Sequence, residues 1–122
     1  MPHKILVVDD DADIRDLVST KLESSGYDVE TAGDGVTGLE LATNNSYSLV
    51  ISDVMMPGMS GVDMVRMMRT AEPPISVPVI LLTAKNQERD IESGFAAGIT
   101  DYVVKPFSPR ELAARVAGIL AR

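Results

Sequence analysis

Apolar positions recur along the chain in two alternating rhythms. Lys4-Ile5-Leu6-Val7-Val8 is an unbroken aliphatic run of strand length that stops at Asp9-Asp10-Asp11, as expected of a strand buried on both faces. Ile14, Leu17, Val18 and Leu22 then follow helical spacing, and Gly26 stands where a left-handed residue would close the helix. The alternation repeats. Tyr27 to Ala32 reads as a second strand whose polar Asp28 and Glu30 suit a sheet edge, and Asp34 can cap a helix using Val36, Leu39 and Ala42. Ser48 to Ser52 predicts a third strand and Gly61 to Arg69 a Met-rich helix. Val77 to Leu82 predicts a fourth strand with Pro78 near its start, followed by a helix from about Gln87 to Ala97. Asp101 to Val104 is the fifth strand. Ser108-Pro109-Arg110-Glu111 then forms a capping box with Pro in the first turn, ahead of Leu112, Val116, Ile119 and Leu120.

Five strands alternating with five helices imply an α/β fold: a doubly wound parallel sheet covered on both faces through right-handed crossovers. With the polar second strand at an edge, the flavodoxin-like order 2-1-3-4-5 is expected. Its ligand site would lie beyond the carboxyl ends of the strands, at the switch point between the first and third.

Composition narrows the function. The 122 residues suit a single domain, 1–122, and 45% apolar with 24% charged residues is globular. No apolar run approaches the ~20 residues of a membrane span, and the N-terminus lacks the pattern of a secretory signal. The absence of cysteine removes disulfide and thiolate chemistry and fits a cytoplasmic protein. A net charge of -7 argues against direct nucleic-acid binding and for cationic partners.

The predicted strand ends carry the chemistry. Asp9 and Asp10 follow the first strand, Asp53 the third, Thr83 the fourth and Lys105 the fifth. Two unit charges about 4 Å apart repel by roughly 4 kcal/mol at an effective dielectric near 20, so three clustered carboxylates call for a cation. Oxygen ligands without nearby histidine or cysteine favour Mg2+, held by carboxylates, water and an incoming phosphate. A carboxylate can attack phosphorus, and Asp53, alone at its strand end, is the candidate nucleophile. Asp11 reads as a helix cap, Met64, Met67 and Met68 as core filling and helix surface, and His3 as too isolated for a relay.

"ILVVDDD", "VISDVMMPGMSG", "ILLTAK" and "YVVKPF", in this order and covering nearly the whole chain, resemble the receiver domain of bacterial response regulators. The resemblance implies that Asp53 takes a phosphoryl group from a phosphohistidine on a sensor histidine kinase or a histidine phosphotransfer protein. It further implies that Asp10, Asp53 and the backbone carbonyl of Met55 bind Mg2+ directly, with Asp9 holding a metal-bound water. Thr83 and Lys105 would contact the phosphoryl oxygens, Lys105-Pro106 would be cis, and Tyr102 would be an aromatic switch that turns inward as Thr83 moves. The implied role is a signal carrier to a downstream protein effector, with homodimerisation on phosphorylation an option and only self-phosphorylation and slow self-dephosphorylation as chemistry. Met55 and Lys85 flank the route of the attacking water in this family, and because a thioether orients water poorly, a persistent phosphorylated state is expected.

Two other classes weigh less. An Mg-dependent phosphatase with an aspartyl intermediate would place an acid two residues after the nucleophile, where Met55 stands. A flavin or nucleotide module would want a Gly, Ser or Thr-rich loop after the first strand, where three aspartates repel phosphate. The sequence stops at Arg122, just past the last predicted helix, which suits either a stand-alone regulator or a receiver fragment of a longer one.

Overall fold

The computed structural model describes residues 2–85 and 87–122. Five parallel strands, β1 (Lys4–Val8), β2 (Asp28–Ala32), β3 (Leu49–Asp53), β4 (Val79–Ala84) and β5 (Asp101–Lys105), form one sheet. Their order is β2-β1-β3-β4-β5, as the polar second strand predicted. Helices α1 (Ala12–Ser24), α2 (Gly35–Asn44), α3 (Gly61–Thr70), α4 (Glu88–Ala97) and α5 (Pro109–Leu120) alternate with them.

Strand side chains alternate between faces, so one aliphatic run feeds two cores. Leu6, Val8, Val50, Val79 and Leu81 pack with Ala42 of α2 and with Met64, Val65 and Met68 of α3. Ile5, Val7, Leu49, Ile51, Ile80, Leu82 and Val103 pack with Val18 and Leu22 of α1 and with Leu112, Val116 and Ile119 of α5. The edge strand β2 is the least buried of the first four, consistent with its charges.

The local signals act as their chemistry predicts. The carboxylate of Asp11 accepts the N–H groups of Asp13 and Ile14, and Asp34 accepts that of Thr37. Ser60 caps α3, and Ser108 accepts the Glu111 N–H with Pro109 as the first helical residue. These bonds satisfy donors that a helix start leaves without partners. Gly26, at φ +94°, makes the left-handed turn after α1.

Three details differ from expectation. β4 starts at Val79, two residues late, because Pro78 has no N–H to give the ladder, although its carbonyl still accepts the Val50 N–H at 2.9 Å. β3 and β5 each run one residue further, ending on Asp53 and Lys105, whose backbones pair with Leu82 and Ala84. Leu17 and Val36, assigned to apolar helix faces, are exposed, since a five-strand sheet covers only part of each helix's circumference. Among the described residues no helix is long and apolar enough to cross a membrane.

Candidate functional site

β1 delivers the acid pair. Its ladder continues through the Asp9 N–H, which donates to Ala32 O at 3.1 Å, and Asp9 is completely buried. Asp9 Oδ1 accepts the Asp11 N–H at 2.9 Å while Oδ2 faces Lys105 Nζ at 3.3 Å. Asp10 is exposed, and its side chain makes no hydrogen bond among the described residues. β3 delivers Asp53, which is buried. Its Oδ1 receives the Val54 N–H at 3.0 Å and Lys105 Nζ at 3.2 Å. One carboxylate oxygen from each of Asp9, Asp10 and Asp53 lies within 4.8 Å of the others.

The charges are unbalanced. Burial raises the pKa of Asp53 above the ordinary carboxylate range; the neighbouring charge of Asp9 adds to this, and Lys105 opposes it. For Lys105, burial works to lower the pKa, but the attraction of Asp53 and then Asp9, with their hydrogen bonds, outweighs it and raises the value. One ammonium bridging two of three acids leaves a net negative site whose candidate ligand atoms are all carboxylate oxygens. That donor set suits a hard divalent cation of the Mg2+ type. Asp10, with no partner to give up, and Asp53, with Oδ2 free of hydrogen bonds among the described residues, are the acids best able to ligate directly; both oxygens of Asp9 are already engaged.

Thr83 sits in β4 one residue beyond the partner of Asp53, fully buried, and its Oγ1 has no hydrogen-bond partner among the described residues. Such a group costs free energy until something fills its bonding capacity. Met55 lies exposed in the loop after Asp53 and Lys85 exposed after β4. Tyr102 is half-buried in β5, its ring edge-on to Phe95 of α4 with centroids 6.1 Å apart. The Lys105-Pro106 bond is cis. A cleft of about 530 Å³ bounded by Tyr47, Pro73 and Pro78 lies at the opposite, amino ends of β3 and β4 and contains none of these residues.

Two contributors lie inside the VISDVMMPGMSG stretch without a role assigned to them in the sequence. A Cβ at Gly61 would collide with the backbone carbonyl oxygen of Asp53, so only glycine lets α3 start this close to the acid. The Gly61 N–H meanwhile bonds Val54 O at 2.9 Å, and Ser52 Oγ donates to the Asp53 carbonyl at 2.9 Å. In the sequence Gly61 signals only a helix start and Ser52 only a strand position.

This strand-end cluster of acids, lysine and hydroxyl on a 2-1-3-4-5 sheet coincides with a family profile. The response regulator receiver domain profile matches residues 5–117. The chain belongs to the response regulator receiver domain family. As a receiver domain of the two-component kind, it is 44% identical over all 122 residues to the alkaline phosphatase synthesis transcriptional regulatory protein PhoP of Bacillus subtilis. It spans about half that relative's length, 50%. Among solved receiver folds, the chemotaxis response regulator CheY4 of Vibrio cholerae superposes with a TM-score of 0.90 at 36% identity, covering 98% of this chain and 99% of that one. The receiver domain of sensor histidine kinase PA1611 from Pseudomonas aeruginosa PAO1, with a magnesium ion coordinated in its active site cleft, gives 0.90 at 30% identity over both whole chains.

Proposed function

We propose that this receiver domain accepts a phosphoryl group on Asp53 from a phosphohistidine of a sensor histidine kinase or histidine phosphotransfer protein, and thereby switches the surface formed by α4, β5 and α5. The observation that carries the reading is Lys105 spanning Asp9 and Asp53 beside the Thr83 hydroxyl, which has no partner among the described residues. In the transfer, an oxygen of Asp53 forms a bond to phosphorus as the phosphorus–nitrogen bond to imidazole breaks, and the imidazole keeps the electron pair. The residues that would hold Mg2+ are Asp10, Asp53 and the Met55 carbonyl, with Asp9 holding a bound water. Bound there, the ion would neutralise charge developing on the phosphoryl oxygens.

Lys105 is already within 3.2 Å of the acceptor, so it can move from carboxylate to phosphoryl oxygen with little travel. Thr83 gains in the phosphorylated state the hydrogen bond it lacks here. Its movement vacates space beside β5 for Tyr102, whose contact with Phe95 links that ring to α4. Moving a two-state equilibrium from 1:99 to 99:1 takes ~5.5 kcal/mol of differential interaction, a total that several charge-assisted hydrogen bonds can approach. With Met55 two residues after the acceptor rather than a second acid, the phosphorylated form persists and the chain is a switch rather than a turnover enzyme.

The partners follow from this role: a cytoplasmic phosphohistidine donor, a downstream protein effector, and a second copy on phosphorylation. Where the chain forms part of a regulator as long as the relatives it matches, DNA contact falls to the other half, because a net charge of -7 disfavours phosphate here.

Intact-mass analysis after incubation with acetyl phosphate and MgCl2 tests the reading. One phosphoryl adduct on Asp53, absent from Asp53→Asn and from EDTA-treated protein, is expected. An adduct elsewhere, none at all, or many turnovers on a generic phosphate ester would overturn it, the last in favour of a phosphatase.

A further inference from the structure

We propose that Arg15 is a positioning residue for the ion site, aiming Asp10 by holding the peptide unit that joins it to Asp9; this rests on the Mg2+ reading above. Arg15 is the fourth residue of α1, where a positive charge opposes the partial positive charge of the helix N-terminus. Its placement there breaks a local rule, and such breaks gather at functional sites. Side chains on a helix lean toward its N-terminus, so the guanidinium reaches back past the cap. Nη1 donates to the Asp9 carbonyl oxygen at 2.7 Å, a short charge-assisted bond. The guanidinium also packs over Gly33 after β2, where an added Cβ would lie 3.4 Å from Nη1.

Because a peptide unit is planar, the Asp9 carbonyl and the Asp10 N–H turn together. Fixing the carbonyl therefore fixes where the Asp10 N and Cα lie, leaving only φ and the side-chain torsions of Asp10 to bring its carboxylate to the ion. Asp10 needs this, since its side chain has no hydrogen bond of its own among the described residues. Asp9 differs: its N–H is held by Ala32, Oδ1 by the Asp11 N–H and Oδ2 by Lys105. Lys105 is the contact drawn away when phosphate arrives, whereas Arg15 touches neither carboxylate and stays through the cycle.

Calorimetric Mg2+ titration of the wild type, Arg15→Gln, Arg15→Lys and Arg66→Gln decides the matter, with melting temperatures measured metal-free and the Asp10 amide followed by NMR. Loss of an outer-shell partner commonly weakens metal affinity 10- to 100-fold, so Arg15→Gln should lose about tenfold or more and shift the Asp10 amide without metal. Arg15→Lys, with one flexible donor in place of the planar fork, should fall between it and the wild type. Arg66→Gln, which removes an exposed ion pair with Asp63, should bind as the wild type. A purely structural role would lower the melting temperature and leave Mg2+ affinity of the folded variants unchanged, which overturns the proposal. If Arg15→Gln does not fold, Arg15→Lys decides alone: weaker binding supports the proposal and wild-type binding overturns it. Absence of Mg2+ binding by the wild type itself overturns the metal reading and this inference with it.

Discussion

Replacing Asp53 with Asn keeps the shape of the side chain but removes its charge, and the metal-free chain should become more stable as a result. Asp53 has two like-charged neighbours, Asp9 and Asp10, within 4.8 Å. At an effective dielectric near 20 the repulsion from buried Asp9 costs ~3.5 kcal/mol, whereas that from exposed Asp10, screened by water at a dielectric near 80, costs only ~1 kcal/mol. Lys105, 3.2 Å away, returns ~5 kcal/mol on the same footing. The charges nearly cancel, so the gain expected of Asn at neutral pH is the relief of burying the Asp53 charge, the first cause of its raised pKa, and is on the order of 2 kcal/mol. In a chain of this size that corresponds to roughly 6–10 °C in Tm.

The pH dependence follows from the raised pKa of Asp53, caused first by burial and then by Asp9. The native wild type holds the proton more tightly than the unfolded chain. It therefore loses stability as pH rises through the raised native pKa, and keeps its full stability only below the unfolded carboxylate value of ~3.9. The advantage of Asn should accordingly be larger at neutral pH and shrink on acidification. Mg2+ should narrow or reverse the gap, because a ligand at 100 times its Kd stabilises its binder by ~2.7 kcal/mol and the Asn chain offers the ion a neutral oxygen in place of a charged one. Urea unfolding followed by circular dichroism, with and without MgCl2 at neutral and acidic pH, measures each term. An Asn chain less stable than the wild type in EDTA, or a gap indifferent to pH, would refute the electrostatic account.

Thr83→Val preserves the side-chain shape while removing a buried hydroxyl that has no partner among the described residues, and should raise the unphosphorylated protein's stability by ~1 kcal/mol in urea unfolding; a loss would show that the hydroxyl is bonded. Gly61→Ala drives a Cβ into the Asp53 carbonyl and should cost ~1–3 kcal/mol of stability and slow phosphorylation by acetyl phosphate. Wild-type melting and labelling would contradict that contact. Met55→Asn supplies an amide that can orient water and should hasten loss of phosphate from Asp53, read by intact mass over time; unchanged or slower decay removes this explanation of persistence.

The sequence by itself determined the elements, their order and the chemistry at the strand ends. These are local matters: an aliphatic run such as Ile5–Val8 needs burial on both faces, and Asp11, Asp34 and Ser108 bond N–H groups only two or three residues away. Periodicity left the edges of elements less certain. It started β4 before Pro78 and stopped β3 and β5 one residue short, because where a ladder ends depends on the neighbouring strand. Only the tertiary structure decided that Lys105 bridges two acids, that Thr83 lacks a partner among the described residues, that Gly61 admits the Asp53 carbonyl, and that Arg15 reaches the peptide linking Asp9 to Asp10. Lys105 lies 96 positions from Asp9, and no spacing rule spans that distance. Their meeting is set by how far each strand protrudes from the packed sheet and by which side chains the helices leave uncovered.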